Sequence, residues 1–243
     1  MSLESPGSGQ VRGAGRPEEL SPSSASAGLR LQILSTEHWS LLASRALAWN
    51  ESFSRAGMFL ATLSGATVAL ALAAQASNFG TTFEFFALSV LPVVLYVGIV
   101  TFLRLGESNY HDFQCVVGMN RIRSAYLEMA PELQQYFVMS PHDDLTGIAV
   151  TQGYQPGRRA AVHIVSATPA VVATLTAVVA GVIGAILGHV IGYAVGAVVG
   201  GLAAFAITFA GLNMYARRMA RGVWAAHNPR FPVRGDTGVG HPQ

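Results

Sequence analysis

Charged residues are scarce in this sequence, and apolar residues are abundant. Charged side chains make up 12% of the 243 residues and hydrophobic ones 51%, with a mean hydropathy of +0.41. This balance excludes an ordinary soluble domain and predicts a membrane protein. Lysine is absent, so all 15 basic residues are arginine, and the net charge is only +2. So small a net charge, spread along the chain, gives no indication of a nucleic-acid partner.

Cysteine and catalytic motifs are scarce as well. Cys115 is the only cysteine, which excludes an intramolecular disulfide and a multi-cysteine metal site. The sequence contains no nucleophile elbow, phosphate loop, dinucleotide fingerprint or zinc motif. These absences predict a protein with no catalytic residues, no cofactor and no metal site, and therefore one that is not an enzyme.

Two short polar runs contain side chains that are able to bind metals. One run is His111 with Asp112, and the other is His142 with Asp143 and Asp144. Adjacent side chains alone do not make a coordination geometry. We therefore predict an ordinary solvated turn or a helix cap, rather than a metal site, at His142 to Asp144.

Long stretches without charge predict four membrane crossings. No Asp, Glu, Lys or Arg lies between Ala160 and Ala216. As one helix this stretch would be about 85 Å long, against a hydrocarbon core of roughly 30 Å. Arginines at both of its ends indicate an even number of crossings, so we predict two, with the turn within about four residues of Gly188. Two shorter uncharged runs, 56–75 and 85–103, have the length of one crossing each.

The arginines also indicate the orientation of these crossings. All 15 lie before the first span, between the second and third, or after the fourth, and basic residues favour the cytoplasmic side. Both termini are therefore predicted to be cytoplasmic, in a multi-pass protein of the cell (inner) membrane. Residues 1–29 are rich in Ser, Gly and Pro and lack the apolar core of a signal peptide, which predicts a disordered tail.

The predicted fold class is all-α, a four-pass transmembrane helix bundle with an amphipathic N-terminal helix and a helical cytoplasmic loop. The predicted segments are a disordered tail (1–29), a juxtamembrane amphipathic helix (30–55), transmembrane helix 1 (56–77), transmembrane helix 2 (84–103), a cytoplasmic helical loop (104–159), transmembrane helix 3 (165–187), transmembrane helix 4 (190–214) and a basic cytoplasmic tail (215–243). Tryptophan and arginine favour the membrane interface. The predicted interface residues are Trp39, Trp49, Arg55, Arg104, Arg159, Arg217 and Arg218.

Small residues recur at every fourth position in two of the apolar regions. In lipid, the hydrophobic effect does not drive helices together. Helix association therefore relies on the close backbone approach that small residues permit. The predicted helix-packing residues are Gly57, Ala61, Gly65, Ala69, Gly184, Gly188, Gly192, Gly196 and Gly200. Two interpretations remain open, namely packing within one subunit and packing between subunits, the latter including assembly around a pore. Transmembrane helix 2 is bulky and interrupted by Pro92, so we expect it to face lipid.

Two segments carry a resemblance to known membrane proteins. The stretches STEHWSLLASRALAWNESFSRAGMFL and GMNRIRSAYLEMAPELQQYF resemble a group of uncharacterised multi-pass integral membrane proteins of high-GC Gram-positive bacteria, over roughly residues 33 to 140. The order of amphipathic helix, hairpin and cytoplasmic helix is also similar to that of SLATT-type two-pass proteins, which are proposed membrane effectors in bacterial conflict systems. The second hairpin departs from the two-pass plan, and neither resemblance supplies functional residues.

These observations together predict the function. We expect a non-enzymatic multi-pass membrane protein that self-associates through small-residue helix faces and acts as a membrane scaffold or a pore-like effector. Its partners would be the lipid bilayer and further copies of the chain. The alternative is a small-molecule or ion transporter, although ion-coupled carriers usually keep an Asp, Glu, Lys or Arg at membrane depth, and the predicted spans contain only Glu84, at the very start of transmembrane helix 2.

Overall fold

All secondary structure in the described part of the chain is helical. The computed structural model describes residues 22–153 and 168–233. The helices are α1 (Pro22–Ser77), α2 (Thr81–Met129), a short 3-10 helix (Pro131–Tyr136), α3 (Leu145–Thr151) and a long helical segment (Thr168–Ala226). This confirms the all-α prediction. The chain divides into two compact units, Met1–Glu37 and His38–Gln243, and in the first the Ser35 and Thr36 hydroxyls donate to the Gln32 carbonyl.

The segment Thr168–Ala226 folds back on itself and forms a helical hairpin. In a straight helix Gly184 and Gly200 would be about 24 Å apart, yet a Cβ atom on Gly184 would touch the backbone of Gly200. Tyr193 has a left-handed φ of 48° at the point of reversal. The two arms are α4 (Thr168–Ile191) and α5 (Tyr193–Ala226). The reversal therefore lies beside Tyr193, further along the chain than Gly188.

In the described part of the chain, four helices are long and apolar enough to cross a membrane, as predicted. They are Ser26–Ser77 within α1, Thr81–Met129, Thr168–Ile191 and Tyr193–Ala226. Because α1 has 56 residues and α2 has 49, both greatly exceed the roughly 20 residues that one crossing needs. The predicted juxtamembrane helix and transmembrane helix 1 are thus parts of one helix, which begins inside the predicted disordered tail. Transmembrane helix 2 likewise continues into the predicted loop.

Helix α2 forms the centre of the membrane-spanning part, so the expectation that it faces lipid is wrong. One side of α2 is buried along the length of the predicted span, at Ala87, Leu91, Val94, Gly98, Phe102 and Leu105. Gly98 is where three helices meet. A Cβ atom on Gly98 would lie 2.5 Å from the Thr176 hydroxyl of α4 and 2.9 Å from the Phe59 ring of α1. Both of these partner residues are fully buried.

The hairpin contact gives a test of where the glycines of α4 and α5 pack. We expect Gly196→Ile to lower the unfolding temperature in detergent, because its side chain would meet the backbone of Gly188 and overpacking costs about 1–3 kcal/mol or more. The number of subunits, measured by light scattering, should not change. Gly211→Ile is the control, since a Cβ atom at Gly211 has nothing within 4 Å. A smaller assembly of unaltered stability would contradict packing within the chain.

Candidate functional site

The predicted packing glycines of α4 and α5 face one another within one chain. A Cβ atom on Gly188 would touch the carbonyl of Gly196, and one on Gly184 would touch the carbonyl of Gly200. Sequence reasoning missed two further members of this contact, Gly181 and Gly201. Gly192 was also predicted to pack, but its packing lies outside the described residues.

The predicted packing residues of α1 have a different environment. A Cβ atom on Gly57 or Gly65 would have nothing within 4 Å, Ala61 is exposed and Ala69 is half-buried. Helix α1 packs instead through the side that carries Phe59 and its neighbours, such as Ala56 and Ala66. Residues two apart on a helix lie about 160° apart around its axis, so Gly57 and Ala61 point away from Phe59. We call Gly57, Ala61 and Gly65 the α1 small-residue face.

Helix α5 buries little of its surface in the described structure. Only 6% of the most apolar 18-residue stretch of α5 is buried, compared with 39% of the corresponding stretch of α4. The exposed apolar side chains of α5 include Val195, Val198, Val199, Leu202 and Ile207. Within the membrane-spanning part, α5 therefore contacts α4 through a narrow glycine-lined side.

The predicted interface residues lie on exposed parts of the helices. Arg55 pairs with Glu51 at 2.7 Å and Arg104 pairs with Glu107 at 2.6 Å. Arg55 and Arg104 line the same small cavity between α1 and α2, so the two helices place these arginines at the same level. Trp39, Arg217 and Arg218 are exposed, and Arg159 lies outside the described residues.

A polar cluster around Asp112 joins α1 and α2 beyond these arginines. Asp112 accepts hydrogen bonds from Arg45 Nε at 2.5 Å and from Trp49 Nε1 at 2.9 Å. One helical turn away, the Ser52 hydroxyl lies 2.7 Å from that of Ser108. The indole N–H of Trp49 thus bonds within the protein although its ring is half exposed. Asp112 binds a guanidinium, and the described residues contain no group of three or more metal-binding side chains.

A second polar cluster holds the C-terminal segment 227–233 against residues 142–144; we call this arrangement the clasp. Asp143 is fully buried at 0% exposure, so the prediction of a solvated turn is wrong for this residue. Its carboxylate accepts hydrogen bonds from Arg121 Nε at 2.7 Å, from the amide of Arg230 at 3.0 Å and from the amide of Phe231 at 2.7 Å. Three donors therefore compensate one buried charge.

Both neighbours of Asp143 also bond across the clasp. His142 Nδ1 donates to the Phe231 carbonyl at 3.2 Å. Asp144 accepts from the amide of Val233 at 2.9 Å, and it caps α3 by accepting from the amide of Gly147 at 2.7 Å. The helix-cap interpretation is therefore confirmed for Asp144.

Asn120 on α2 forms hydrogen bonds with the clasp and with α3. This fully buried amide donates to the His142 carbonyl at 2.7 Å, and its oxygen accepts from Arg123 at 2.7 Å and from Thr151 at 2.9 Å. Every polar atom of the Asn120 side chain has a partner, as burial requires. The sequence signal for this site is an asparagine followed by arginines within the apolar pattern of α2.

Hydrogen bonding holds the pKa of Asp143 below its usual range. Burial acts in the opposite direction and would raise the pKa, but the amide of Arg230, the Arg121 guanidinium and the amide of Phe231 together outweigh it. A carboxyl group whose pKa falls on folding stabilises the fold at pH values above its unfolded pKa of about 3.9, and this contribution disappears as the pH falls through the folded pKa. The ionised carboxylate of Asp143 therefore stabilises the clasp at neutral pH.

Comparison with known protein families, with curated proteins and with solved structures gives no match. The resemblance to multi-pass and SLATT-type membrane proteins therefore stays a prediction.

The buried charge of Asp143 gives a test of the clasp. We expect Asp143→Asn to lower the free energy of unfolding by about 1–3 kcal/mol, because an amide cannot accept from all three donors. Limited proteolysis should then cut near His227 and Arg230 in the variant and spare the wild-type protein. Glu132→Gln is the matched control, since Glu132 is exposed.

The wild-type segment should also stay protected between pH 8 and pH 5 and lose protection only below about pH 4. Equal cleavage of wild type and Asp143→Asn at neutral pH would show that Asp143 does not hold the segment.

Proposed function

We propose that the protein is a non-enzymatic multi-pass membrane protein that self-associates through the α1 small-residue face and serves as a membrane scaffold or a pore-like effector. The observation that carries this proposal is the missing partner of that face. Among the described residues, no atom outside the local helix lies within 4 Å of a Cβ position on Gly57 or Gly65. A second copy of α1 would supply the contact that the chain itself does not.

The composition of this face supports a protein partner rather than lipid alone. Glycine inside a helix is unfavourable by about 1 kcal/mol relative to alanine in water. In a membrane, small residues favour helix association by letting two backbones approach closely. The glycines of α4 and α5 obtain such an approach from each other, whereas Gly57 and Gly65 do not. Packing of α1 against its copy would bring these glycines into the same kind of contact.

The long helices support a scaffold role. Helices α1 and α2 are joined by the Asp112 cluster, and both continue well beyond the length of one crossing. A movement of these helices in the membrane would therefore also displace the clasp. Within each of the two clusters, the polar groups already form hydrogen bonds with one another. This internal bonding is the basis for proposing a role without catalysis. An effector role agrees with the resemblance to SLATT-type proteins.

The orientation of the chain is also part of this proposal, with the bilayer as partner and both termini in the cytoplasm. In a Cys115→Ser background, cysteines at Asn78 and His189 should react in intact cells with a membrane-impermeant maleimide. A cysteine at Val138, which is 88% exposed, should react only after the cells are opened. Labelling of Val138→Cys in intact cells would show that the arginine argument gives the wrong orientation.

The α1 small-residue face gives the direct test of self-association. We expect the double variant Gly57→Ile, Gly65→Ile to form a smaller species in native mass spectrometry from mild detergent, because branched side chains hold helix backbones apart. Its unfolding temperature should change little, since both positions are open within the chain.

Gly211→Ile is the matched control, because it places the same side chain at another open glycine. It should leave the subunit count unchanged. A wild-type protein that is monomeric, or a double variant with an unaltered subunit count, would rule out this face as the site of self-association.

A further inference from the structure

Two adjoining cavities lie where the C-terminal end of α5 meets α2. The first has a volume of about 210 Å³. Its walls are mostly aromatic or otherwise apolar, with Phe102 and Phe113 on α2 and Met219 and Trp224 on α5. Empty apolar cavities of about 150 Å³ are large enough to bind benzene. The first cavity therefore has room for part of a hydrocarbon chain.

Small residues create this space between rigid walls. Gly106 faces Met219, whose sulfur would lie 3.3 Å from a Cβ atom on Gly106, and Ala220 is also part of the lining. The rings of Phe113 and Trp224, which line the same cavity, stack edge to face with centroids 5.0 Å apart. Larger residues at 106 or 220 would fill the space.

The second cavity is larger and more polar. It has a volume of about 750 Å³, and Arg45 and Asp112 are among its lining residues. The two cavities share Asn109, Pro169, Ala220 and Trp224, so the apolar space adjoins the polar one. A ligand that occupied both would need an apolar part and a polar part.

The position of the cavities relative to the arginines matches such a ligand. The first cavity extends from Phe102 to Phe113 along α2 and from Tyr215 to Trp224 along α5. Arg104 lies within the first of these ranges and Arg217 within the second. Arginines of this kind mark the boundary between hydrocarbon and headgroups. The apolar cavity is therefore at the depth where a lipid chain meets its headgroup.

The charges in the second cavity favour an uncharged polar group. Arg45 and Asp112 neutralise each other through their ion pair. The Asn109 side chain is exposed in the second cavity and forms no hydrogen bond within the described part of the chain, so its amide is free to donate to a ligand and to accept from it. A hydroxyl or ester group would satisfy Asn109 without adding charge beside the Arg45–Asp112 pair.

We propose that the two cavities together bind a single-chain amphiphile with an uncharged, hydroxylated head, of the monoacylglycerol class. The chain occupies the first cavity, and the head lies in the second against Asn109. Among the described residues that line the site, none belongs to the α1 small-residue face, so the site is separate from the surface proposed for self-association.

Tryptophan fluorescence tests the site in the full-length protein carrying Trp39→Phe, whose two remaining tryptophans both line the cavities. The protein in detergent micelles is titrated with 1-(9,10-dibromostearoyl)glycerol, since bromine quenches nearby indoles. We expect saturable quenching that unbrominated monostearoylglycerol reverses. Ala220→Phe, which fills the cavity, should weaken the apparent affinity about tenfold or more. Ala225→Phe, on the same helix but outside both linings, should leave the affinity unchanged.

Two further measurements keep the proposal testable if Ala220→Phe does not fold. Asn109→Leu should weaken the monoacylglycerol affinity, and dibromostearate, which bears a negative charge, should bind about tenfold more weakly than the glycerol ester. If the protein bound the two amphiphiles with equal affinity, or if Asn109→Leu bound the monoacylglycerol as tightly as the protein with Asn109 does, the assignment of the head would be overturned. Quenching that does not saturate, or that competitor does not reverse, would overturn the site itself.

Discussion

The constraint on which this structure depends is that apolar helices gain no hydrophobic stabilisation by packing together in lipid, so their association relies on close packing, which small residues promote by letting the backbones approach. Gly184 and Gly188 meet Gly200 and Gly196 across the hairpin. Gly98 serves the same purpose at the junction of α1, α2 and α4. These close contacts act together with the packing of larger buried side chains such as Phe59, Leu91 and Val172. Gly57 and Gly65 on α1 differ, because no atom of another described element lies within 4 Å of their Cβ positions.

Beyond the membrane-spanning part, the interactions change from close backbone contact to buried polar groups. Asp112 joins α1 to α2 through Arg45, and Asp143 joins α2 to the C-terminal segment through Arg121. Trp49 is a second donor to Asp112, and the amides of Arg230 and Phe231 are further donors to Asp143. Such donors make a buried charge tolerable. Helices α1 and α2 pass through both environments and connect them, and this continuity is the structural basis of the proposed scaffold role.

The number of spans could be predicted from the sequence because charge is so unfavourable in lipid that uncharged runs and arginine clusters mark the spans. The arginines mark the ends of the Ala160–Ala216 stretch but not its middle, so the reversal beside Tyr193 could be placed only approximately. The packing sides of helices were harder, because Gly57 and Gly184 occur in the same four-residue spacing and only tertiary contacts distinguish them. Asp143 was read as solvated because its partners, Arg230 and Phe231, are remote in sequence.

The central claim is that α1 offers its small-residue face to a second copy while α4 and α5 use their glycines on each other. Single-cysteine cross-linking in native membranes tests it most directly, with Cys115 replaced by serine. On oxidation, Ala61→Cys should give a covalent dimer, because Ala61 lies on the open face. Ala66→Cys should give none, because Ala66 is buried against the rest of the chain. Absence of a dimer from Ala61→Cys, or equal dimer from both positions, would contradict the claim.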